Sequence, residues 1–106
     1  MKALDKATTM DPKSVDGWNI KGGILAKLKK YPAAIGAYDK ALKEKPDFGG
    51  AIYNRSCAYA LSGNKPKALA DLKSAIELNG EFKANAAKDE DLKSLWDDAE
   101  FKKLTQ

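Results

Sequence analysis

Histidine is missing from this chain, and cysteine occurs once, as Cys57. These absences exclude an internal disulfide, a Cys/His zinc site and every mechanism in which histidine acts as acid, base or nucleophile. Because Cys57 lies in an alanine-rich segment, we expect it to pack as a small apolar residue. Scarce cysteine also fits a reducing compartment, and we predict a cytoplasmic location.

Long apolar runs and arginine are also scarce. No run approaches the roughly 20 apolar residues that a membrane-spanning helix needs, so we expect no membrane partner. Of the 19 basic residues, Arg55 is the one arginine, and the lysines are spread along the chain among 15 acidic residues. Nucleic-acid surfaces usually draw on arginine and concentrate charge on one face. A nucleic-acid partner is therefore not expected either.

The chain does contain an internal repeat with a period of 34 residues. Residues of the same kind recur at this spacing: Pro12, Pro46 and Gly80; Ala7, Ala41 and Ala75; Leu4, Tyr38 and Leu72; Trp18 and Ile52; Leu25 and Tyr59; Ala34 and Ala68. So many matches in one register indicate a repeat architecture, in which neighbouring units stack to bury a shared core.

Each period is predicted to form two helices. In the first period, apolar spacing predicts a helix from Ser14, as N-cap, to about Leu28, and a second helix from Pro32 to Lys45. In the second period, the corresponding helices run over 51–61 and from an N-cap at Asn64 to Leu78. Asn79 and Gly80 then form a pair suited to a left-handed helix ending.

Two glycines interrupt the first of these helices. Glycine in a helix interior costs about 1 kcal/mol relative to alanine. We therefore expect Gly22 and Gly23 to make contacts that leave no room for a Cβ atom.

These positions resemble the tetratricopeptide repeat (TPR) pattern W-x-x-L-G-x-x-Y, A-x-x-x-F, P. The first repeat matches with Trp18-x-x-Lys21-Gly22-x-x-Leu25, Ala34-x-x-x-Tyr38 and Pro46, and the second with Ile52-x-x-Arg55-Ser56-x-x-Tyr59, Ala68-x-x-x-Leu72 and Gly80. Both repeats depart at the leucine of the pattern, where Lys21 and Arg55 stand. The resemblance implies an all-α fold: a right-handed superhelix of antiparallel helix pairs, a TPR-like α-solenoid with a C-terminal helical cap.

The repeat register divides the chain into four parts. Residues 1–13 match the second helix of a truncated preceding repeat, 14–47 and 48–81 are two TPR repeats, and 82–106 form capping helices. The cap is expected to bury Trp96 and Phe101, and its sequence resembles the tail that closes many TPR arrays. The truncated helix leaves apolar surface at Leu4, Ala7 and Met10, from which we predict weak self-association.

A TPR superhelix has a concave face lined mainly by the first helix of each repeat. In this register the predicted peptide-binding groove is lined by Asn19, Gly23, Ala26, Lys27, Tyr53, Asn54, Cys57, Ala60 and Leu61. Such a surface suits an extended peptide or an amphipathic helix of a partner protein, with Tyr53 as an aromatic anchor. The predicted function is thus a scaffold for protein–protein interaction.

Chaperone-binding TPR domains hold a peptide's C-terminal carboxylate with a clamp of lysines, asparagines and an arginine. Asn54 matches the clamp asparagine, but Asn19, Gly23, Ala84 and Lys88 stand where Lys, Asn, Lys and Arg would be. The favoured alternative is that Asn54 makes a hydrogen bond between helices.

Catalysis is not expected. The acidic groups at 89–91 and 97–100 fit helix starts and are expected to face water, and no glycine-rich phosphate loop follows a strand. We predict no catalytic residue, no metal site and no cofactor. The alternative function is a docking or targeting module cut from a larger enzyme, for example a transferase, and not itself catalytic.

Overall fold

A computed structural model describes residues 15–106, and this part of the chain is helical without a β-strand. The α-helices are α1 (Val15–Lys27), α2 (Tyr31–Glu44), α3 (Gly49–Leu61), α4 (Lys65–Leu78), α5 (Glu81–Lys88) and α6 (Ala99–Thr105), with a 3-10 helix at Glu90–Leu95. None of these helices has the length and apolar character needed to cross a bilayer. The all-α prediction is confirmed. The truncated helix at 1–13, its apolar surface and the N-cap at Ser14 lie outside the described residues.

Consecutive helices pack as antiparallel pairs, α1 on α2 and α3 on α4, and α2 joins the pairs by packing on α3. Alanines occupy the closest contacts, since Ala34, Ala41, Ala68 and Ala75 are all fully buried. Large side chains fill the remaining space, with Tyr38 in the first pair and Leu72 in the second almost completely buried. The repeat period therefore corresponds to a repeated packing arrangement.

The turn inside each pair uses the left-handed region of backbone conformation. Lys29 (φ 64°) and Gly63 (φ 89°) occupy equivalent places in the two turns. In each case the amide that follows reaches back to the last turn of the helix: Lys30 N–H to Leu25 O at 2.9 Å, and Asn64 N–H to Tyr59 O at 2.8 Å. This is the Schellman helix ending, which glycine satisfies without the steric cost that a side chain such as that of Lys29 brings.

The predicted left-handed ending at Asn79–Gly80 is wrong. Asn79 has φ −153° and Gly80 has φ −60°. The reason is that α5 begins at Glu81, directly after Gly80, so the chain turns into the next helix without a positive φ. The Asn79 side chain accepts a hydrogen bond from the Glu81 amide at 2.9 Å and supports this start.

The two glycines of α1 differ in their surroundings. A Cβ atom at Gly22 would overlap the Tyr38 ring, lying only 2.7 Å from Cδ1, as expected for a position without room. At Gly23 the same atom would lie 3.9 Å from the Tyr38 hydroxyl, an ordinary van der Waals distance. The expectation of a forbidden Cβ is therefore confirmed at Gly22 and wrong at Gly23, which faces the open side of the helix pair.

The C-terminal segment folds back over the second helix pair. The 3-10 helix packs on α3, and α6 packs on α4 and α5. Leu92, Leu95 and Phe101 are buried in the core, and the Trp96 indole donates a hydrogen bond to Ala86 O at 3.3 Å. Asp98 begins α6 as an N-cap by accepting from the Glu100 and Phe101 amides. The predicted burial of Phe101 is confirmed, and Trp96 packs partly buried against the same core.

Candidate functional site

A cavity of about 560 Å³ opens where α1, α3 and the start of the 3-10 helix come together. Small and apolar groups dominate its central lining, and charged groups stand on opposite walls. Its lining residues are Gly23, Ala26, Lys27, Lys29, Tyr31, Tyr38, Asn54, Cys57, Ala58, Leu61, Asp89 and Asp91. We call this cavity the groove.

Six of the nine side chains predicted for the groove line it in the structure: Gly23, Ala26, Lys27, Asn54, Cys57 and Leu61. They come from the first helix of each pair, α1 and α3, as the superhelix argument requires. Leu61 is 40 % exposed at the end of α3, which leaves an apolar side chain at the rim.

Asn19, Tyr53 and Ala60 do not line the groove. Asn19 accepts a hydrogen bond from the Asn54 amide nitrogen at 3.1 Å, so the two side chains join α1 to α3. This confirms the interhelical hydrogen bond predicted for Asn54. Ala60 is 5 % exposed and belongs to the core between α3 and α4.

Tyr53 contacts the C-terminal segment and does not face the groove. Its ring is 8 % exposed and stacks on Phe82, with ring centroids 5.0 Å apart and planes 16° from parallel. Its hydroxyl donates to Asp89 Oδ2 at 2.7 Å. Both contacts are with residues beyond the second repeat, whose position the repeat register does not give.

Half of the lining was not predicted from the sequence. Tyr31 and Tyr38 come from α2, Ala58 from α3, Lys29 from the first turn, and Asp89 and Asp91 from the C-terminal segment. Asp89 does begin the 3-10 helix, accepting from the Asp91 amide at 3.0 Å. Its other carboxylate oxygen points at α3, so the prediction that this acid faces water is wrong. The helix-start signal was present, but only the packing of the segment on α3 brings it into the groove.

Burial raises the pKa of three side chains that line the groove, Cys57, Tyr38 and Asp91. It is the main cause that raises the pKa of the Cys57 thiol far above its ordinary value, with Asp89 and Asp91 adding to the effect. Burial likewise raises the pKa of Tyr38 to about 12. It is also the main cause that raises the pKa of Asp91, followed by the charges of Asp89 and Glu90. At neutral pH the thiol is protonated and is not an activated nucleophile.

Cys57 Sγ and one oxygen each from Asp89 and Asp91 lie within 4.8 Å of one another. This is the group of side chains in residues 15–106 with the spacing to hold a metal ion. A protonated thiol is a poor ligand, however, because metals bind the thiolate. The acid pair is therefore the chemically prominent part of the cluster.

Arg55 stands where the TPR pattern has a leucine in the second repeat. Its guanidinium binds Asp71 through two hydrogen bonds, Nε to Oδ2 at 2.7 Å and Nη2 to Oδ1 at 2.8 Å, and reaches Asp39 through Nη1 at 2.8 Å. An ion-pair network thus takes the place of an apolar contact between helices. At the equivalent position of the first pair, Lys21 Nζ lies 5.1 Å from the centre of the Trp18 ring.

Comparison with known proteins agrees with the repeat assignment. A family model described as tetratricopeptide repeat matches residues 15–48 and 50–82. The chain is 35 % identical over 81 residues to an Hsp70-Hsp90 organizing protein of Triticum aestivum and 33 % identical over 81 residues to Hsp70-Hsp90 organizing protein 3 of Arabidopsis thaliana. It is 30 % identical over 80 residues to Protein FlbA of Caulobacter vibrioides. Each match covers 76 % of this chain but only 14 %, 14 % and 13 % of the relative, respectively.

Proposed function

Because the chain belongs to the tetratricopeptide repeat family, we propose that it is a protein-interaction module that binds a peptide segment or helix of a partner in the groove. The observation that carries the proposal is the groove itself, with its apolar centre formed by the first helix of each pair. Ligand sites in proteins are typically concave and apolar with a few fixed polar groups. The groove combines these features.

The relatives support a role of the same general kind. Two of them are named as organizers of Hsp70 and Hsp90, which describes proteins that work through other proteins. The chain spans about one seventh of the length of these relatives, so the match covers one part of each of them.

Leu61 and Leu78 offer a matched pair of substitutions for testing the groove. Each is the last residue of its helix, and they are 40 % and 49 % exposed, but only Leu61 lines the groove. Peptides selected on the purified protein from a displayed random library are the probe. A charge at position 61 would be desolvated under a bound peptide, so Leu61→Glu should weaken binding by about tenfold or more. Leu78→Glu should leave the affinity within about twofold.

Circular dichroism of both variants checks that the helices are retained. Fluorescence anisotropy of the labelled peptides gives the affinities. Equal binding by the Leu61→Glu variant and the wild type would place the binding surface elsewhere and contradict the proposal. Failure to select any peptide would count against it in the same way.

A further inference from the structure

The two walls of the groove carry opposite charge. Lys27 and Lys29 come from the end of α1 and the turn after it, whereas Asp89 and Asp91 come from the C-terminal segment. α3 packs against both α1 and the 3-10 helix and so stands between the two walls. Both lysines are exposed, and a long lysine side chain can extend into water at little cost. Asp89 is the charge that the fold holds in place.

Three contacts fix the position of the Asp89 carboxylate. Oδ2 accepts from the Tyr53 hydroxyl at 2.7 Å and from the Cys57 thiol at 3.8 Å, and Oδ1 accepts from the Asp91 amide at 3.0 Å. The Asp91 carboxylate is brought within 4.8 Å of the Asp89 carboxylate. Because this wall is already ordered, little conformational entropy is lost there when a peptide binds.

The acid pair has no cation to neutralise it within residues 15–106. The ion pairs in this part of the chain join Arg55 to Asp39 and Asp71, and neither Asp89 nor Asp91 takes part in one. Two like charges this close destabilise each other, and a cation placed beside both relieves the repulsion. The pKa of Asp91 is raised mainly because its carboxylate is partly desolvated, and the charges of Asp89 and Glu90 add to this effect.

The Tyr38 hydroxyl adds a neutral polar group to the floor of the groove. Tyr38 is 2 % exposed, and its hydroxyl forms no hydrogen bond within residues 15–106. Among these residues no fully buried side-chain nitrogen or oxygen lacks a partner, so the hydroxyl reaches the open space of the groove that Tyr38 lines. A hydroxyl can donate to or accept from a guest, so it tolerates a basic side chain.

Building on the proposed function, we infer that the peptide bound in the groove carries a lysine or arginine that pairs with Asp89 and Asp91. Because both acids are negatively charged, the complementary group on the peptide is an ammonium or a guanidinium. Of the three positions at which a carboxylate clamp would place cations, Asn19 and Ala84 are uncharged and Lys88 keeps a positive charge. A peptide held by its acidic end is disfavoured by two carboxylates in the same cavity.

Asp91 and Glu90 provide a matched pair for the test. They are neighbouring exposed acids, but only Asp91 lines the groove, so Asp91→Lys and Glu90→Lys change the net charge equally. The probes are the peptides selected from the random library on the wild-type protein. We expect these peptides to be enriched in lysine or arginine at one position. Their affinity should fall by about tenfold or more with Asp91→Lys and by no more than about twofold with Glu90→Lys.

Changing the enriched basic residue of the peptide to glutamine gives a double-mutant cycle with Asp91→Asn. Non-additive losses support a direct ion pair, and additive losses overturn it. Repeating the titrations in EDTA separates a peptide cation from a metal bridge, and binding that disappears with EDTA would contradict the inference.

The outcomes also separate this inference from the proposed function. If the selected peptides are lost with Leu61→Glu but show no basic enrichment, or end in acidic residues, the groove binds peptides and the inference is wrong. If Leu61→Glu has no effect, or no peptide is selected, both fail.

Discussion

The Tyr53 hydroxyl donates a 2.7 Å hydrogen bond to the Asp89 carboxylate and thereby joins the second repeat to the C-terminal segment. Tyr53 also stacks on Phe82, so one side chain holds two parts of that segment. The same hydrogen bond fixes one wall of the groove. This residue pair therefore contributes both to the attachment of the cap and to the shape of the binding site.

We expect Tyr53→Phe to retain the stacking on Phe82 and to lose the hydrogen bond. The free energy of unfolding should fall by about 1–2 kcal/mol because a partly buried carboxylate loses a donor. Urea titration followed by far-UV circular dichroism measures the loss. Tyr59→Phe is the control, because the Tyr59 side chain forms no hydrogen bond among the described residues, and it should cost less. Equal stability of the Tyr53→Phe variant and the wild type would contradict the importance of this contact.

Gly22 and Gly36 lie inside the two helices of the first pair and should respond oppositely to alanine. A Cβ atom at Gly22 would overlap the Tyr38 ring, whereas nothing lies within 4 Å of one at Gly36. We expect Gly22→Ala to destabilise the protein by about 1–3 kcal/mol through overpacking. Gly36→Ala should stabilise it by about 0.5–1 kcal/mol through helix propensity. Thermal unfolding of both variants checks the pair, and changes of the same sign would be inconsistent with the packing described.

Arg55 neutralises Asp71, which is 8 % exposed. Replacing Arg55 with methionine leaves that carboxylate with no cation, and we expect a loss of about 2–3 kcal/mol. Asp39 is the more exposed partner, with 53 % of its side chain accessible, so Asp39→Asn should cost about 0.5 kcal/mol or less.

A double replacement tests the coupling between the two groups. Arg55→Met combined with Asp71→Leu removes both charges and should recover most of the stability lost in the single variant. Urea unfolding of the single and double variants measures the recovery. A double variant no more stable than Arg55→Met alone would show that the ion pair is not the source of the effect.

Cys57 should make the protein less stable at alkaline pH. Its ordinary pKa is 9.0, and burial raises the value in the folded state well above this. Below about pH 9 the thiol is protonated in both states and its contribution is complete. Above that pH the unfolded state loses the proton and the folded state keeps it, so the free energy of unfolding falls as pH rises.

Cys57→Ala removes this contribution and serves as the reference. Between about pH 8 and pH 10 the wild type should lose about 1 kcal/mol more than the variant. Urea unfolding at each pH provides the comparison, and parallel pH curves would contradict the burial of the thiol. A thiol reagent such as Ellman's reagent should also modify the folded wild type slowly.

The architecture follows from the amino-acid pattern, because the apolar spacing inside each 34-residue period predicts two helices and the repetition of the period predicts that the pairs stack. Local signals also predicted the N-cap at Asn64, whose side chain accepts from the Lys67 amide, and the interhelical role of Asn54. These features depend on residues that lie close in the chain or are related by the repeat.

The chemistry of the groove depends on packing that the repeat register does not predict. Asp89 and Asp91 enter it because the C-terminal segment, which lies outside the repeat register, packs on α3. The same packing buries Tyr53, which the register places on the concave face, and gives its hydroxyl a partner 36 residues away. Periodicity predicts which face of a helix turns inward. It does not predict which residues of a non-repeating segment pack on that face, because this packing depends on long-range burial and charge.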